Sequence, residues 1–164
     1  MITPKRPMKD LRLEIQIKEC QLDELSDTDR SLVTMAIEAT ASSYAKYSQF
    51  HVGACVMLAN GVVIKGCNQE NAAFPAGICA ERSAIFAAGA QHPDQAVTVL
   101  AIAARDTQGE LTLEPVSPCG TCRQVMIETE TRFGHPIHIL LYGQRRVYVI
   151  DGIRNLMPLS FTEF

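Results

Sequence analysis

Several features that would narrow the range of functions are missing from this sequence. It has no excess of positive charge: 15 Lys and Arg against 18 Asp and Glu leave a formal charge of −3, which disfavours a nucleic-acid partner. No apolar stretch is long enough to span a bilayer, so no membrane partner is expected. The start, Met1-Ile2-Thr3-Pro4-Lys5-Arg6-Pro7, is followed by no apolar run and does not read as a secretory signal. No repeat, low-complexity tract or linker interrupts the chain. With no signal ahead of them, the six cysteines read as reduced thiols or metal ligands and not as a disulfide framework. A cytoplasmic protein is expected. The 164 residues suit one domain, and a hydrophobic fraction of 47% is enough to build a core.

The pattern of what is present gives an order of elements. Residues 1–10 read as a loose arm, and residues 11–164 as a single domain. Over residues 11–18, Leu11, Leu13, Ile15 and Ile17 alternate with Arg12, Glu14, Gln16 and Lys18, which predicts a short strand with one wet face. Ser26 offers a helix cap, and Leu32, Val33, Ala36 and Ile37 follow at helical spacing, predicting a helix over residues 27–44. Residues 52–58 and 62–66 flank Asn60-Gly61 and predict a hairpin. Helices are predicted over 79–90 and 119–132, strands over 97–104, 137–142 and 147–150, and a short helix over 153–156. The expected fold is a three-layer α/β/α sandwich around a mixed sheet, with the N-terminal strand as an addition. Both cysteine-bearing helices begin just after extended segments, so their starts can meet at one end of the sheet.

Those helix starts carry the chemistry. Cys79-Ala80-Glu81 opens one, and Pro118-Cys119-Gly120-Thr121-Cys122 opens the other. Helix N-termini favour thiolates through their free N–H groups and dipole. Cys119 and Cys122 are three apart and share a helix face. Three thiolates can hold one Zn²⁺ and leave its fourth position open, which is a catalytic and not a structural arrangement. Glu81 is the candidate acid/base. Three thiolates on a divalent ion leave a formal excess of about one negative charge, which weakens a Lewis acid; Arg82 is placed to donate to the sulfurs and draw that charge away.

Four stretches together resemble the cytidine deaminases of the homotetrameric, three-cysteine type: Tyr47-Ser48-Gln49-Phe50-His51-Val52-Gly53-Ala54, Gly66-Cys67-Asn68-Gln69-Glu70-Asn71-Ala72, Gly77-Ile78-Cys79-Ala80-Glu81-Arg82 and Ser117-Pro118-Cys119-Gly120-Thr121-Cys122-Arg123-Gln124. The resemblance runs from about Tyr47 to Phe161. It implies a cytidine deaminase-like fold with a five-stranded mixed sheet, one zinc ion per subunit and a non-ligating glutamate at Glu81. It also implies a homotetramer with shared active sites, acting on a small nucleoside in pyrimidine salvage. Asn68 and Glu70 match the pair that binds the ribose 3′-hydroxyl, Phe50 the aromatic packed on the pyrimidine, and the backbones of Ala80 and Ser117 the groups that read the base edge. Ala72 and Phe161 match contributions from a neighbouring subunit. Two positions depart from the pattern: Phe74 stands where many relatives have a tyrosine, and the 46–50 segment lacks a common proline.

Simpler readings compete at each position. Cys-x-x-Cys alone could be a redox pair or a structural zinc clip, but no further His or Cys stands at ligand spacing to close a fourth corner. Cys20, Cys55 and Cys67 sit in or beside apolar runs and read as core residues. His51, His92, His135 and His138 have no metal spacing. The competing functions are deamination of another aminopyrimidine nucleoside such as blasticidin S, deamination within a polynucleotide, and a non-enzymatic zinc-binding module.

Overall fold

The computed structural model describes residues 8–162. Six strands form one sheet: β1 (Lys18–Cys20), β2 (His51–Leu58), β3 (Val63–Cys67), β4 (Val97–Arg105), β5 (His138–Tyr142) and β6 (Val147–Asp151), in spatial order β1-β6-β5-β4-β2-β3. Only β4 and β5 run parallel, with Val99 opposite His138 and Ile102 opposite Leu141; every other pair is antiparallel. The parallel pair needs a crossover, and helix α3 (Gly120–Phe133) supplies it.

Strand alternation divides the core between two faces. On β4, Val99, Ala101 and Ala103 join Leu32, Val33 and Ala36 of α1 (Asp27–Ala39). Leu100 and Ile102 join Ala84 and Ile85 of α2 (Ala80–Gln91) and Met126 and Ile127 of α3. The result is the three-layer α/β/α sandwich expected from the order of elements, with α1 on one face and α2 and α3 on the other. Full burial of each Val, Leu, Ile or Met among them is worth about 1.5–3 kcal/mol, so both layers are held firmly to the sheet.

Local signals explain most boundaries. Ser26 Oγ accepts from the Asp29 N–H at 3.1 Å and caps α1. The β2–β3 hairpin turns through Asn60-Gly61, with Gly61 at φ 82, a left-handed value that favours glycine. Helix α1 stops at Ala39, short of the residue 44 that periodicity predicts, and residues 40–42 tighten into a 3₁₀ turn. Side-chain hydroxyls cause the change: Thr40 Oγ1 donates to the Ile37 carbonyl at 2.6 Å, and Ser43 Oγ to the Thr40 carbonyl at 2.7 Å.

The N-terminal strand is present at the sheet edge, but its pairing is displaced from residues 11–18 to Lys18–Cys20. Its neighbour β6 ends at Asp151, and the chain then turns into a 3₁₀ segment. In this register Ile17 and Gln16 would face Ile150 and Asp151, the last residues of β6, so the residues before Gln16 have no ladder to join. Leu11, Leu13, Ile15 and Ile17 are exposed there, while the Gln16 N–H finds the Asn155 side chain at 3.0 Å. Of the expected arm, residues 1–7 lie outside the described residues, and residues 8–10 are exposed without helix or strand.

A charged cluster fixes that edge. Asp151 accepts from His138 Nδ1 at 2.7 Å and from Lys18 Nζ at 3.0 Å, and these donors lower its pKa, His138 most. A depressed carboxylate stabilises the fold in full above the ordinary aspartate value of about 3.9, and that contribution is lost as pH falls through the lower folded value. Exposed pairs contribute at most about 1 kcal/mol each. With two such pairs, Asp151→Asn is therefore expected to lower the thermal midpoint by no more than about 4–8 °C at neutral pH. The difference should vanish by about pH 2, as read from melting curves across that range.

Candidate active site

Helix α2 starts unusually close to strand β3. A Cβ on Gly66 would lie 2.5 Å from the Ala84 nitrogen and 2.6 Å from the Ala80 carbonyl, so only glycine allows this approach. The contact seats the first turn of α2 on the sheet. Cys79 is the N-cap of α2 and Cys119 the N-cap of α3, while Cys122 lies in the first turn of α3. Neither cysteine side chain caps its own helix by hydrogen bonding. Both sulfurs point beyond the helix ends, toward each other.

The three sulfurs lie within 4.8 Å of one another; Cys79 and Cys119 are 3.9 Å apart, and Cys119 and Cys122 are 3.5 Å apart. Zn–S bonds of about 2.3 Å in a tetrahedron place sulfurs about 3.8 Å from one another. The spacing therefore fits the dimensions of a zinc site. Among the described residues this is the only such cluster of His, Cys, Asp or Glu, and it supplies three ligands and no fourth.

The electrostatics prepare the thiolates. Arg82 Nη2 donates to Cys79 Sγ at 3.4 Å. The Cys122 thiol, followed by Arg82 and Cys119, brings Cys79 down to about 5 against the opposing effect of burial. The same proton sharing with Cys79, together with burial, pushes Cys122 up. The thiolate contact raises the Arg82 pKa, so the guanidinium stays charged. Its Nε is buried and finds no acceptor, which leaves the side chain committed to the sulfur cluster.

Glu81, in the first turn of α2, is only 5% exposed. Burial raises its pKa first of all, and the charge of Cys79 adds to this. It opens on a cleft of about 630 Å³ lined by Asn68, Glu70, Cys79, Ala80, Ser117 and Cys119 among others. Glu70 is held in the wall of this cleft. Its carboxylate accepts the Tyr47 N–H at 2.7 Å and the Ser48 N–H at 3.2 Å; the Ser48 side chain most of all, and then the Tyr47 amide, lowers its pKa. The Asn68 side chain ties down the start of β2, donating to the Phe50 carbonyl at 2.9 Å and accepting from the Val52 N–H at 2.8 Å.

Three of the residues singled out from the sequence stand apart from this cleft. Phe50 is half-buried beside it and contributes its carbonyl to Asn68. Ala72 is exposed on the loop after Glu70. Phe161 is 64% exposed, with its carbonyl accepting from Gln124 Nε2 at 2.8 Å. Conversely, residue spacing did not single out Tyr47 as a wall. Its ring meets that of Phe74 edge-on at 5.7 Å, and both line the mouth of the cleft.

Comparison with known proteins agrees with this geometry. A sequence model of the cytidine and deoxycytidylate deaminase zinc-binding region matches residues 26–133. The chain belongs to this deaminase family. It is similar to the cytidine deaminase of Halalkalibacterium halodurans, 42% identical over 97 residues that cover 59% of this chain and 68% of that protein. The fold is similar to the crystal structure of cytidine deaminase from Burkholderia pseudomallei, with a TM-score of 0.69, 34% identity, and coverage of 84% of this chain and 100% of that one. A more distant similarity is to the blasticidin-S deaminase of Bacillus cereus, 27% identical over 139 residues covering 84% and 95% of the two chains. The matched region takes in all three sulfurs and Glu81. The enzyme is thus a zinc-binding hydrolase of the deaminase class. Among the described residues no helix is long and apolar enough to cross a membrane.

Proposed function

We propose that the protein deaminates cytidine and deoxycytidine to uridine and deoxyuridine by hydrolysis, releasing ammonia. One observation carries the reading: a three-sulfur cluster of zinc dimensions shares a cleft with a buried glutamate on the same helix turn as one of the sulfurs. Cys79, Cys119 and Cys122 would hold one zinc ion per subunit. When bound, zinc supplies the Lewis acidity that makes a water molecule nucleophilic near neutral pH.

The chain's own residues then move protons and orient the substrate. Glu81 takes a proton from the attacking water and delivers it to N3 of the pyrimidine as the water oxygen bonds to C4. A second transfer through Glu81 carries the remaining water proton to the departing amine, and the C4–N bond breaks. The desolvated carboxyl, with its raised pKa, is suited to both transfers. Arg82 offsets the charge of the thiolates. The Ala80 and Ser117 backbones face the same cleft and would read the base edge. Phe50, which stands beside the cleft, would reach the pyrimidine from there, and Asn68 and Glu70 would take the sugar hydroxyls.

The cleft favours a nucleoside over a nucleotide. Among the described residues Arg82 is the one Arg or Lys that lines it, and that side chain is committed to Cys79. A phosphate on the sugar would enter a cleft whose lining, among the described residues, offers it the Glu70 carboxylate and no uncommitted Arg or Lys. Residues 11–164 would form one deaminase domain behind the 1–10 arm. Subunits would assemble as a homotetramer, with Ala72 and Phe161 completing a neighbour's site; their exposure outside the cleft of their own chain is consistent with that. A cytoplasmic role in pyrimidine salvage suits such a substrate.

The test is absorbance loss on adding zinc-loaded protein to cytidine, deoxycytidine, deoxycytidylate, blasticidin S and single-stranded DNA. Turnover is expected on the first two, with deoxycytidylate slower by about 10² or more, the order expected when a charge is brought to an unpaired site. Faster turnover of blasticidin S than of cytidine would replace the proposal with the second reading.

A further inference from the structure

The loop over residues 44–50, between the end of α1 and the start of β2, is held at many points, and nearly all of them lead to the Asn68–Glu70 segment. At its first root, the Tyr44 N–H donates to the Asn68 carbonyl at 3.0 Å, and the Glu70 N–H to the Tyr44 carbonyl at 2.8 Å. At its second root, the Asn68 side chain grips Phe50 and Val52. At its tip, the amides of Tyr47 and Ser48 hold the Glu70 carboxylate. Inside it, Gln49 has φ 54, a left-handed value that a residue other than glycine adopts only when its surroundings impose it.

One side-chain bond joins the two roots directly. Ser43 Oγ lies 2.6 Å from His51 Nδ1. The Ser43 hydroxyl has a single proton, and the Thr40 carbonyl takes it at 2.7 Å. Ser43 must therefore accept, and His51 must donate from Nδ1–H. This holds for both the neutral Nδ1–H tautomer and the doubly protonated ring. Thr40 is itself fixed: it is buried, and Arg105 Nε donates to its hydroxyl at 2.9 Å. The bond thus ties the start of β2 to a rigid helix end.

We infer that His51 is a positioning residue for substrate binding: its bond to Ser43 clasps the loop shut so that the Tyr47 and Ser48 amides hold the Glu70 carboxylate toward the substrate. The inference rests on the proposed use of Glu70 as the acceptor of the sugar hydroxyls. Without the clasp, the strained Gln49 relaxes, the two amides part from Glu70 and the carboxylate turns away. The zinc cluster and Glu81 lie on other elements and are untouched. Binding should suffer while the chemical step does not.

The experiment measures kcat and KM for cytidine and for 2′,3′-dideoxycytidine in the wild type, His51→Ala, His51→Asn and Ser43→Ala. The asparagine amide can donate from nearly the same place as Nδ1. His51→Ala and Ser43→Ala should raise KM for cytidine about tenfold, the order of one lost hydrogen bond. Both should leave kcat within about twofold. His51→Asn should recover most of the loss, and the penalty should nearly disappear on the dideoxy substrate, which offers Glu70 no ring hydroxyl. Equal penalties on both substrates, a fall in kcat alone, or wild-type KM in His51→Ala would overturn the inference. Hydrogen exchange at the Tyr47 and Ser48 amides tests the clasp without turnover. It should quicken in His51→Ala and not in His51→Asn, and unchanged exchange in His51→Ala would also refute the clasp. Absence of cytidine turnover in the wild type would instead strike the proposed function, leaving the exchange result to decide the clasp.

Discussion

Replacing Glu81 with glutamine is expected to abolish turnover while leaving the metal site and the fold in place. The side chains are nearly isosteric, so packing at this 5%-exposed position is kept, and no sulfur is removed. What disappears is the capacity to accept and return a proton, a role worth about 10²–10⁴ in rate for a positioned acid/base. A fall in kcat of that size, with zinc content by elemental analysis unchanged, separates an enzyme from a module that merely binds metal; undiminished turnover would refute the mechanism. Stability gives a second check. The folded carboxyl has a raised pKa, chiefly from burial. Such a group costs stability above its folded value and costs nothing below the unfolded value of about 4.3. In chelated protein, where the charge of Arg82 offsets the burial only in part, Glu81→Gln should therefore melt higher than the wild type at neutral pH. The gain should shrink to nothing as the solution is acidified through that range.

The sequence revealed the chemistry more readily than the geometry around it. Cys79, Glu81, Cys119 and Cys122 were legible because helix starts are marked by local residue pattern, and because thiols three apart on one helix must share a face. The layers were legible too, since alternation on β4 and 3.6-residue spacing on α1 are properties of single segments. Hydroxyl competition was harder to see: Thr40 and Ser43 cut α1 short by bonding to its carbonyls, and periodicity does not register that. The alternation at residues 11–17 is real, but a strand needs a partner, and the end of β6 at Asp151 is a fact about another part of the chain. The Tyr47–Phe74 rim and the Ser43–His51 clasp join residues 27 and 8 apart in sequence, through contacts that exist only once the loop has folded over Glu70. Gly66 read as an ordinary strand residue, and its role is visible only when α2 is laid upon it.

Cys122→Ala is expected to remove the metal and, with it, both the activity and part of the thermal stability. Cys122 is fully buried and packed in the first turn of α3, so alanine leaves a small void and removes the thiol's contacts with the cluster and with Glu81. Cys79 and Cys119 remain, yet two thiolates 3.9 Å apart cannot retain zinc as three do. The activity loss should exceed the 10–100-fold typical of losing a supporting residue around a metal. Metal that binds only the folded chain stabilises it by mass action, about 4 kcal/mol at a thousandfold excess over its dissociation constant. That corresponds to roughly 10 °C in a protein of this size. The variant should therefore melt about that much lower than the zinc-loaded wild type. Chelation separates the causes: once zinc is stripped from the wild type, most of the gap should close, since only the small void and the lost thiol contact with Glu81 remain to distinguish the two. A gap that persisted undiminished in chelator would mean that Cys122 serves packing alone, and that the three sulfurs hold no metal.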